Sequence, residues 1–328
     1  MVVISPAKVG NFDRITAIFT TFAVEKEKEM LRILKDWMLP IAMLAGILFR
    51  QACDYLSGLI PYLIFTLMLL AVGNLSPRDI RLRPLHGWLL LIQFSGCALV
   101  YFAFVFFNPV AAEAALVCVF APTATSAVVM TGLLGGNIAF LTTYVLIVNL
   151  GVALLSPFLF SFLGVHGNGG PAFFESVFHI FWQLFRLLIL PMLCAWVMRK
   201  FTPGLHRHLQ SLHQLSFYLW AIALAIVIGK TVVFLTNQDD PNYGNEIFIA
   251  FVSLVICVLQ FWGGRKLGKR YGEAISVGQG LGQKNTVLAI WMAQTHLNPI
   301  ASIGPAAYVV WQNSIHSYLL WQNRKRGK

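Results

Sequence analysis

The chain has 328 residues, of which 58% are hydrophobic and 11% are charged, and its mean hydropathy is +0.71. These values exclude an ordinary soluble domain and predict an all-α polytopic membrane protein, because apolar runs recur along nearly the whole length. The net charge of +11 would suit a nucleic-acid-binding surface, but the basic residues are divided among the connections between apolar runs. No nucleic-acid partner is therefore predicted.

The first 36 residues precede these runs and are predicted to form a cytoplasmic N-terminal segment, followed by a single membrane unit at 37–328. Ile15 to Val24 is an apolar run of ten residues, too short to span a bilayer and without a small-residue cleavage site. It fits an interfacial amphipathic segment, although Met30 to Trp37 is itself an ordinary start for a first span. The role of the upstream residues stays open.

Ten apolar segments follow, each a candidate membrane-spanning helix. Several are close to or shorter than the roughly 20 residues that cross a bilayer, so their boundaries are approximate. In chain order they occupy residues 37–52, 56–74, 85–107, 110–134, 138–164, 174–198, 215–235, 246–262, 274–296 and 299–321.

The positive charges indicate how these segments are oriented. Twenty of the 24 lysines and arginines lie in the N-terminal segment, the even-numbered connections or the C-terminal end, and the alternate connections hold only Arg50. Basic residues concentrate on the cytoplasmic side, so both termini are predicted to be cytoplasmic in a multi-pass protein of the inner (plasma) membrane. The even-numbered connections contain Arg78, Arg81, Arg83, Arg199, Lys200, Arg207, Arg265, Lys266, Lys269 and Arg270, while Arg186, Lys230 and Lys284 lie inside segments.

Two polar interruptions divide the chain into matching halves. The fourth segment contains Pro122, and the ninth contains Gly278, Gly280 and Gly282. A helix broken within a bilayer leaves backbone groups without water, so such breaks are tolerated where they are buried in protein or line a cavity. Paired breaks near the midplane are typical of secondary transporters with inverted repeats. The sequence therefore predicts ten transmembrane helices in two inverted five-helix repeats, with the broken helices 4 and 9 crossing.

Polar residues follow each interruption and open the second half of each broken helix. They are Thr125 and Ser126 in the fourth segment, and Asn285 and Thr286 in the ninth. A helix N-terminus presents unsatisfied N–H groups and the positive end of the helix dipole, which suit a carboxylate or a sulfonate. The same residue types also hold membrane helices together. A small organic anion is the predicted substrate class.

Several short motifs together resemble the bile acid:sodium symporter family of ten-helix secondary transporters. No single motif is decisive, but their order and spacing are specific, and the resemblance extends from about Met38 to the C-terminus. The motifs are Gln93-Phe94, Pro122 with Thr125, Val129-Met130-Thr131, Gly136-Asn137-Ile138-Ala139, Gly282 followed by Asn285-Thr286, and Trp311-Gln312-Asn313.

The resemblance implies a panel domain of spans 1, 2, 6 and 7 and a core domain of spans 3–5 and 8–10. It implies transport of organic anions by alternating access, with Gln312 and Asn313 beside the substrate. Members of the family usually couple this transport to two sodium ions bound behind the crossing.

The positions at which the resemblance places sodium ligands are changed in this chain. A hard cation needs about five or six oxygens, yet the glutamate of the ninth helix and the Ser-Asn pair of the fourth are missing, and no acidic residue lies deep in a segment. The changes argue against sodium. The changed positions are Gly280, Ala127, Val128, Leu141 and Val145, with Thr142 and Thr143 between the last two.

Lys284 stands where the family has a glutamine, while Gln93 is kept. The hypothesis is that the Lys284 ammonium replaces a bound cation, so that transport is sodium-independent. Three roles stay open for it: a permanent structural cation, a titrating group that couples protons, and a counter-charge for the substrate. A lysine that only snorkels to the interface is the alternative without a function.

The favoured function is secondary active or facilitative transport of a small organic anion. Two alternatives stay open: a sodium:organic anion symporter with ligands relocated to Thr142, Thr143 and backbone carbonyls, and a membrane sensor that does not transport.

No enzyme activity, catalytic residue, metal site or cofactor is predicted, because no nucleophile is paired with a base and the five cysteines are single. A proton stays open as coupling ion. The predicted partners are the anion and the lipid bilayer, with no obligate protein partner.

Overall fold

The structure, a computed structural model, describes residues 37–73, 80–163, 171–238 and 241–326. Within these ranges the chain is almost entirely helical, and its only extended pairing is a single isolated β-bridge. The predicted all-α class is thereby confirmed. The predicted N-terminal segment 1–36 and Arg78 lie outside the described residues.

The helices follow one another with short connections. A 3-10 turn at Leu56–Leu59 separates α2 from α3, a π-helical turn at Phe185–Ile189 separates α8 from α9, and a 3-10 turn at Pro299–Ser302 precedes α15. The α-helices are α1 (Trp37–Leu48), α2 (Arg50–Tyr55), α3 (Ile60–Val72), α4 (Pro84–Phe104), α5 (Pro109–Phe120), α6 (Ser126–Leu133), α7 (Ile138–Leu163), α8 (Pro171–Leu184), α9 (Leu190–Phe201), α10 (Pro203–Ser211), α11 (His213–Thr236), α12 (Tyr243–Lys269), α13 (Ala274–Gly282), α14 (Thr286–His296) and α15 (Ile303–Arg326).

Six helical stretches in the described part of the chain are long and apolar enough to cross a membrane. They are Arg50–Ala71, Pro84–Phe104, Ile138–Leu163, Phe173–Phe201, Leu215–Thr236 and Tyr243–Lys269. The protein is therefore a helical membrane protein, but length and composition do not confirm ten spans.

The remaining predicted segments depart from a simple span for identifiable reasons. The first is a short apolar helix, Trp37–Leu48, because the helix is interrupted at Phe49. The fourth and the ninth are each divided into two shorter helices, and the tenth, α15, is 24 residues long but carries several polar side chains. These four predicted spans therefore stay predictions.

The helices α5 and α13, which are the first halves of the two divided segments, pack in one group with α4, α12 and α15. Helix α12 packs against α13, α15 and α5, and α4 packs against α5, while α2 and α3 pack against α11. Bulky apolar side chains such as Phe102, Phe158 and Phe178 are exposed on the outer surface. Such a surface is stable in contact with lipid chains and not with water.

Candidate functional site

The two helix breaks lie side by side. The chain between α5 and α6 runs antiparallel to the chain between α13 and α14, and Thr123 and Lys284 form an isolated β-bridge. The backbone N–H of Ala124 donates to Gln283 O at 3.1 Å, and that of Asn285 donates to Pro122 O at 2.8 Å. Backbone groups that leave the helices are thus satisfied by the other break, as burial in an apolar surrounding requires.

Local sequence explains where α5 ends. Proline has no backbone N–H and disfavours helical geometry in the residue before it. Ala121 accordingly has φ −48° and ψ 136°, outside the helical region. The break in the first divided segment therefore falls at Pro122, as the sequence predicts.

The second break falls just after the predicted glycines and not at them. Gly278, Gly280 and Gly282 lie within α13, and the chain becomes extended at Gln283, where ψ is 106°. The glycines permit close packing instead. The Phe261 ring lies directly against the Gly282 Cα, in space that a Cβ would occupy.

Side chains satisfy the carbonyl groups at the end of α5. Lys284 Nζ donates to Val119 O at 2.8 Å. Gln93 Nε2 lies 3.2 Å from both Phe120 O and Ala121 O. The last carbonyls of a helix have no partner within it, so Lys284 and Gln93 supply donors that this end would otherwise lack.

The end of α13 is satisfied in the same way. Thr123 Oγ1 donates to Gly280 O at 2.6 Å, and Tyr308 OH donates to Gly282 O at 2.7 Å. Tyr308 OH also lies 3.3 Å from Gln260 Nε2 of α12. Both helix C-termini at the crossing therefore have protein donors on their carbonyl groups.

Lys284 is fully buried, with 1% of its surface exposed. In the described parts of the chain, Arg83–Glu273 is the only ion pair, so no carboxylate there pairs with the lysine. The partner of its ammonium group is the carbonyl end of α5, which carries the negative end of the helix dipole. Lys284 does not snorkel toward an interface.

The neighbourhood of Gly280 leaves no space for a larger side chain. A Cβ at this position would lie 2.9 Å from Tyr144 Cδ1 and 3.2 Å from Leu141 Cδ1. The Tyr144 hydroxyl donates to Gln93 Oε1 at 2.7 Å. A sodium ion, which the resemblance implies here, does not fit these residues, because Tyr144 and the Lys284 ammonium occupy the place of its ligands and the carbonyls already have donors.

Three of the predicted substrate-binding residues lie where the crossing is partly accessible. Thr125 and Asn285 are half-buried and Ser126 is exposed. Asn285 Oδ1 accepts from Leu288 N at 3.3 Å and caps α14, whereas the Thr125 side chain makes no cap for α6. Ser126 Oγ accepts from Gln283 Nε2 at 2.9 Å. The N-terminal ends of α6 and α14 are thus brought together.

The other three predicted residues have structural partners or are buried. Gln312 Oε1 accepts the Lys284 backbone N–H at 3.0 Å, so it holds the second break in place. Asn313 Nδ2 donates within its own helix to Val309 O at 2.7 Å. Thr286 is buried. Gln312 and Thr286 are therefore less accessible than Thr125, Ser126 and Asn285, whereas Asn313 is half-buried like Thr125 and Asn285.

Sequence reasoning missed four residues of the crossing: Thr123, Tyr144, Gln283 and Tyr308. Gln283 is the most informative of them, because its Oε1 is buried and has no hydrogen-bond partner within the described residues. One signal was available for Tyr144. A glycine in place of a long side chain leaves volume that a close-packed interior must fill from a neighbouring helix.

A second polar cluster joins the starts of three helices. Glu273, just before α13, accepts from Arg83 Nη1 at 2.9 Å and from Asn137 Nδ2 at 2.8 Å through Oε1. Its Oε2 accepts from Ser276 Oγ at 3.1 Å. The cluster fixes the first turn of α13 against the starts of α4 and α7, and so positions the helix that leads to Lys284.

Comparison of the sequence with protein-family models gave no match, and comparison with curated proteins gave none.

Proposed function

We propose that this protein is a secondary transporter of a small organic anion, of the bile acid:sodium symporter type, that works without sodium. The observation that carries the proposal is the contact between two broken membrane helices with a buried lysine at the crossing. The proposal includes ten spans in two inverted repeats, an inner-membrane location and cytoplasmic termini. A core of α4–α7 and α12–α15 would move against a panel of α1–α3 and α8–α11 by alternating access.

The helix ends at the crossing support an anionic substrate. The N-termini of α6 and α14 meet there, and each adds roughly half a positive charge. Thr125, Ser126 and Asn285 stand at these ends with partial exposure. Gln283 Oε1 belongs to the side chain that bonds Ser126, and it has no hydrogen-bond partner among the described residues. A substrate that also carries a hydroxyl or amide donor would satisfy it.

The charges at the other two helix ends support independence from sodium. The C-termini of α5 and α13 each carry roughly half a negative charge, so together they attract about one positive charge. The Lys284 ammonium, bonded to Val119 O, supplies that charge from the chain itself. In the proposal it is a permanent replacement for a diffusible cation.

The test is the thermal stability of purified protein against sodium concentration, at constant ionic strength and at pH values from about 5 to 9. Wild type is expected to ignore sodium across this range. Lys284→Gln restores an amide oxygen and removes the fixed charge, so it is expected to acquire a sodium-dependent rise in Tm. Lys230→Gln is the matched control, because Lys230 lies in α11 beside Phe234 and away from the crossing.

Stabilisation of the wild-type protein by sodium would contradict the proposal. If millimolar sodium stabilises wild type, the sodium-independent proposal is wrong and a symporter with relocated ligands takes its place. Transport is tested separately, by flux of labelled small carboxylates and sulfonates into proteoliposomes without a sodium gradient. A ligand that stabilises the protein but shows no flux would indicate a sensor on the same fold.

A further inference from the structure

A cavity of about 470 Å³ lies at the end of α12, and neither Tyr144 nor Gln93 of the crossing lines it. It is formed by α12, the start of α13, the end of α15 and the residue that follows α6. Its walls combine two kinds of side chain. The polar ones include Arg265, Lys266, Lys269 and Gln322, and the apolar ones include Leu319 and Ile275.

The polar wall is cationic. Arg265, Lys266 and Lys269 all line the cavity, and no carboxylate of the described residues does so. Lys266 and Lys269 are exposed, and neither pairs with a carboxylate in the portion of the chain that the structure describes. An anion that entered the cavity would meet two available ammonium groups and the Arg265 guanidinium.

The cationic wall continues the face of α12 that is exposed outside the protein. Trp262, Lys266 and Lys269 follow at helical spacing, and Lys266 Nζ lies 4.9 Å from the centroid of the Trp262 ring. One and two turns before Trp262 on the same helix, Val258 and Val255 are exposed at 46% and 41%. The sequence along this face thus changes from aliphatic to tryptophan to lysine, which is the order expected from hydrocarbon to headgroup region.

We propose that this cavity binds the headgroup of an anionic phospholipid of the cytoplasmic leaflet. The headgroup phosphate would lie between Lys266 and Lys269, and an acyl chain would follow the exposed aliphatic face of α12. A basic pocket between membrane helices on the cytoplasmic side suits such a headgroup. The inference rests on the orientation in the proposed function and not on transport or sodium independence.

Bound lipid would stabilise the turn that joins α12 to α13. Ala274 and Ile275 line the cavity, and they directly follow Glu273, whose carboxylate bonds Arg83 and Asn137. The cavity and the Glu273 cluster therefore lie on two sides of the same first turn of α13. A lipid that fills the cavity is expected to raise the Tm of the whole protein.

The test uses the full chain in detergent micelles supplemented with either phosphatidylglycerol or phosphatidylcholine of the same acyl chains. Wild type is expected to retain phosphatidylglycerol in native mass spectra and to gain Tm with this lipid only. Lys266→Gln combined with Lys269→Gln is expected to bind it at least about tenfold more weakly, since each basic residue near an anionic membrane contributes measurably to binding. Arg199→Gln combined with Lys200→Gln is the control, because it removes two charges from the end of α9 instead.

Two results would overturn the proposal. One is an equal loss of lipid binding in both double variants, because the effect would then belong to net charge and not to the cavity. The other is full competition by inorganic phosphate or glycerol phosphate at the concentration of the lipid, which would identify a soluble phosphate as the occupant. The sodium dependence of Tm is measured on the same samples, so failure of the lipid site is distinguished from failure of the proposed function.

Discussion

Gln294 of α14 donates a hydrogen bond from Nε2 to Thr231 Oγ1 of α11 at 2.9 Å, and the same nitrogen lies 3.1 Å from Val227 O. Thr231 Oγ1 also lies 3.3 Å from Ser302 Oγ. In the proposed transporter α14 belongs to the core and α11 to the panel. This buried contact therefore has to break when the core moves, whereas apolar side chains between the same helices can slide.

Thr231→Val removes the hydroxyl with little change of shape. The change removes the bond from Gln294, which contributes about 1 kcal/mol, and also the contacts of the hydroxyl with Val227 O and Ser302 Oγ. We therefore predict a lower Tm and at least roughly fivefold faster hydrogen exchange along α14. Thr236→Val is the control, because Thr236 is exposed and bonds Val233 O in its own helix. Equal exchange rates of α14 in the two variants would mean that the Gln294 contact does not hold this state.

Gly280→Ala is predicted to destabilise the protein. The added Cβ would lie 2.9 Å from Tyr144 Cδ1, and overpacking of a close-packed interior costs typically about 1–3 kcal/mol. Gly87→Ala in α4 is the matched control, because nothing lies within 4 Å of a Cβ there. A helical Gly→Ala change at an open site stabilises by about 0.5–1 kcal/mol, so the two variants are expected to shift the unfolding transition in opposite directions. A stabilised Gly280→Ala would disprove the close approach of Tyr144.

Asn285→Asp separates helix capping from substrate binding. Aspartate caps a helix as well as asparagine does, so the variant is expected to fold with an unchanged or higher Tm. Its negative charge at the α14 N-terminus repels an anion, and we predict at least tenfold weaker binding of the transported anion, measured by ligand-induced shift in Tm. Asn242→Asp is the control, because Asn242 caps α12 through Asn245 N at 3.0 Å and is exposed. If Asn285→Asp binds the transported anion with unchanged affinity, the N-terminus of α14 is not part of the substrate site.

Glu273→Ala is predicted to destabilise the protein more than Arg83→Ala. The Glu273 carboxylate serves Arg83, Asn137 and Ser276, and its loss leaves the last two donors without their partner. The Arg83 side chain is 52% exposed, so its ion pair is weakened by solvent and salt. Denaturation at low and high ionic strength distinguishes the two, because the whole Arg83→Ala effect should fall with salt, whereas the part of the Glu273→Ala effect that comes from Asn137 and Ser276 should remain. An equal and salt-sensitive loss of unfolding free energy in both variants would mean that the ion pair alone accounts for the stabilising effect of the cluster.

The class of the protein and the position of its first break were predictable from residue types, whereas the second break falls just after the glycines that were expected to form it. Composition indicates a membrane protein without any knowledge of contacts. Pro122 ends α5 through its own covalent geometry, and Asn285 has the residue type of a helix cap, so each break leaves a local signal. The structure places these two breaks against each other.

Details of the crossing were not predictable because they depend on contacts between residues far apart in sequence. Tyr144 fills the space beside Gly280, 136 residues later, and nothing in the sequence around Tyr144 indicates this contact. Gln312 matches a substrate-binding position by resemblance, yet its Oε1 accepts the backbone N–H of Lys284. The prediction that the glycines of α13 break the helix was wrong for a related reason. A sequence does not distinguish a glycine that breaks a helix from one that gives room for the ring of a neighbouring helix.

The covalent attachment of the Lys284 ammonium has an electrical consequence. A diffusible cation leaves with the substrate, but a lysine returns across the membrane with the carrier. In the proposed transporter, one full cycle with a monovalent anion and no coupling ion therefore moves one net negative charge. A membrane potential acts on that charge with about 2.3 kcal/mol per 100 mV. With a negative cell interior, the potential favours export of the anion. Net uptake then requires a correspondingly large excess of the anion outside the cell.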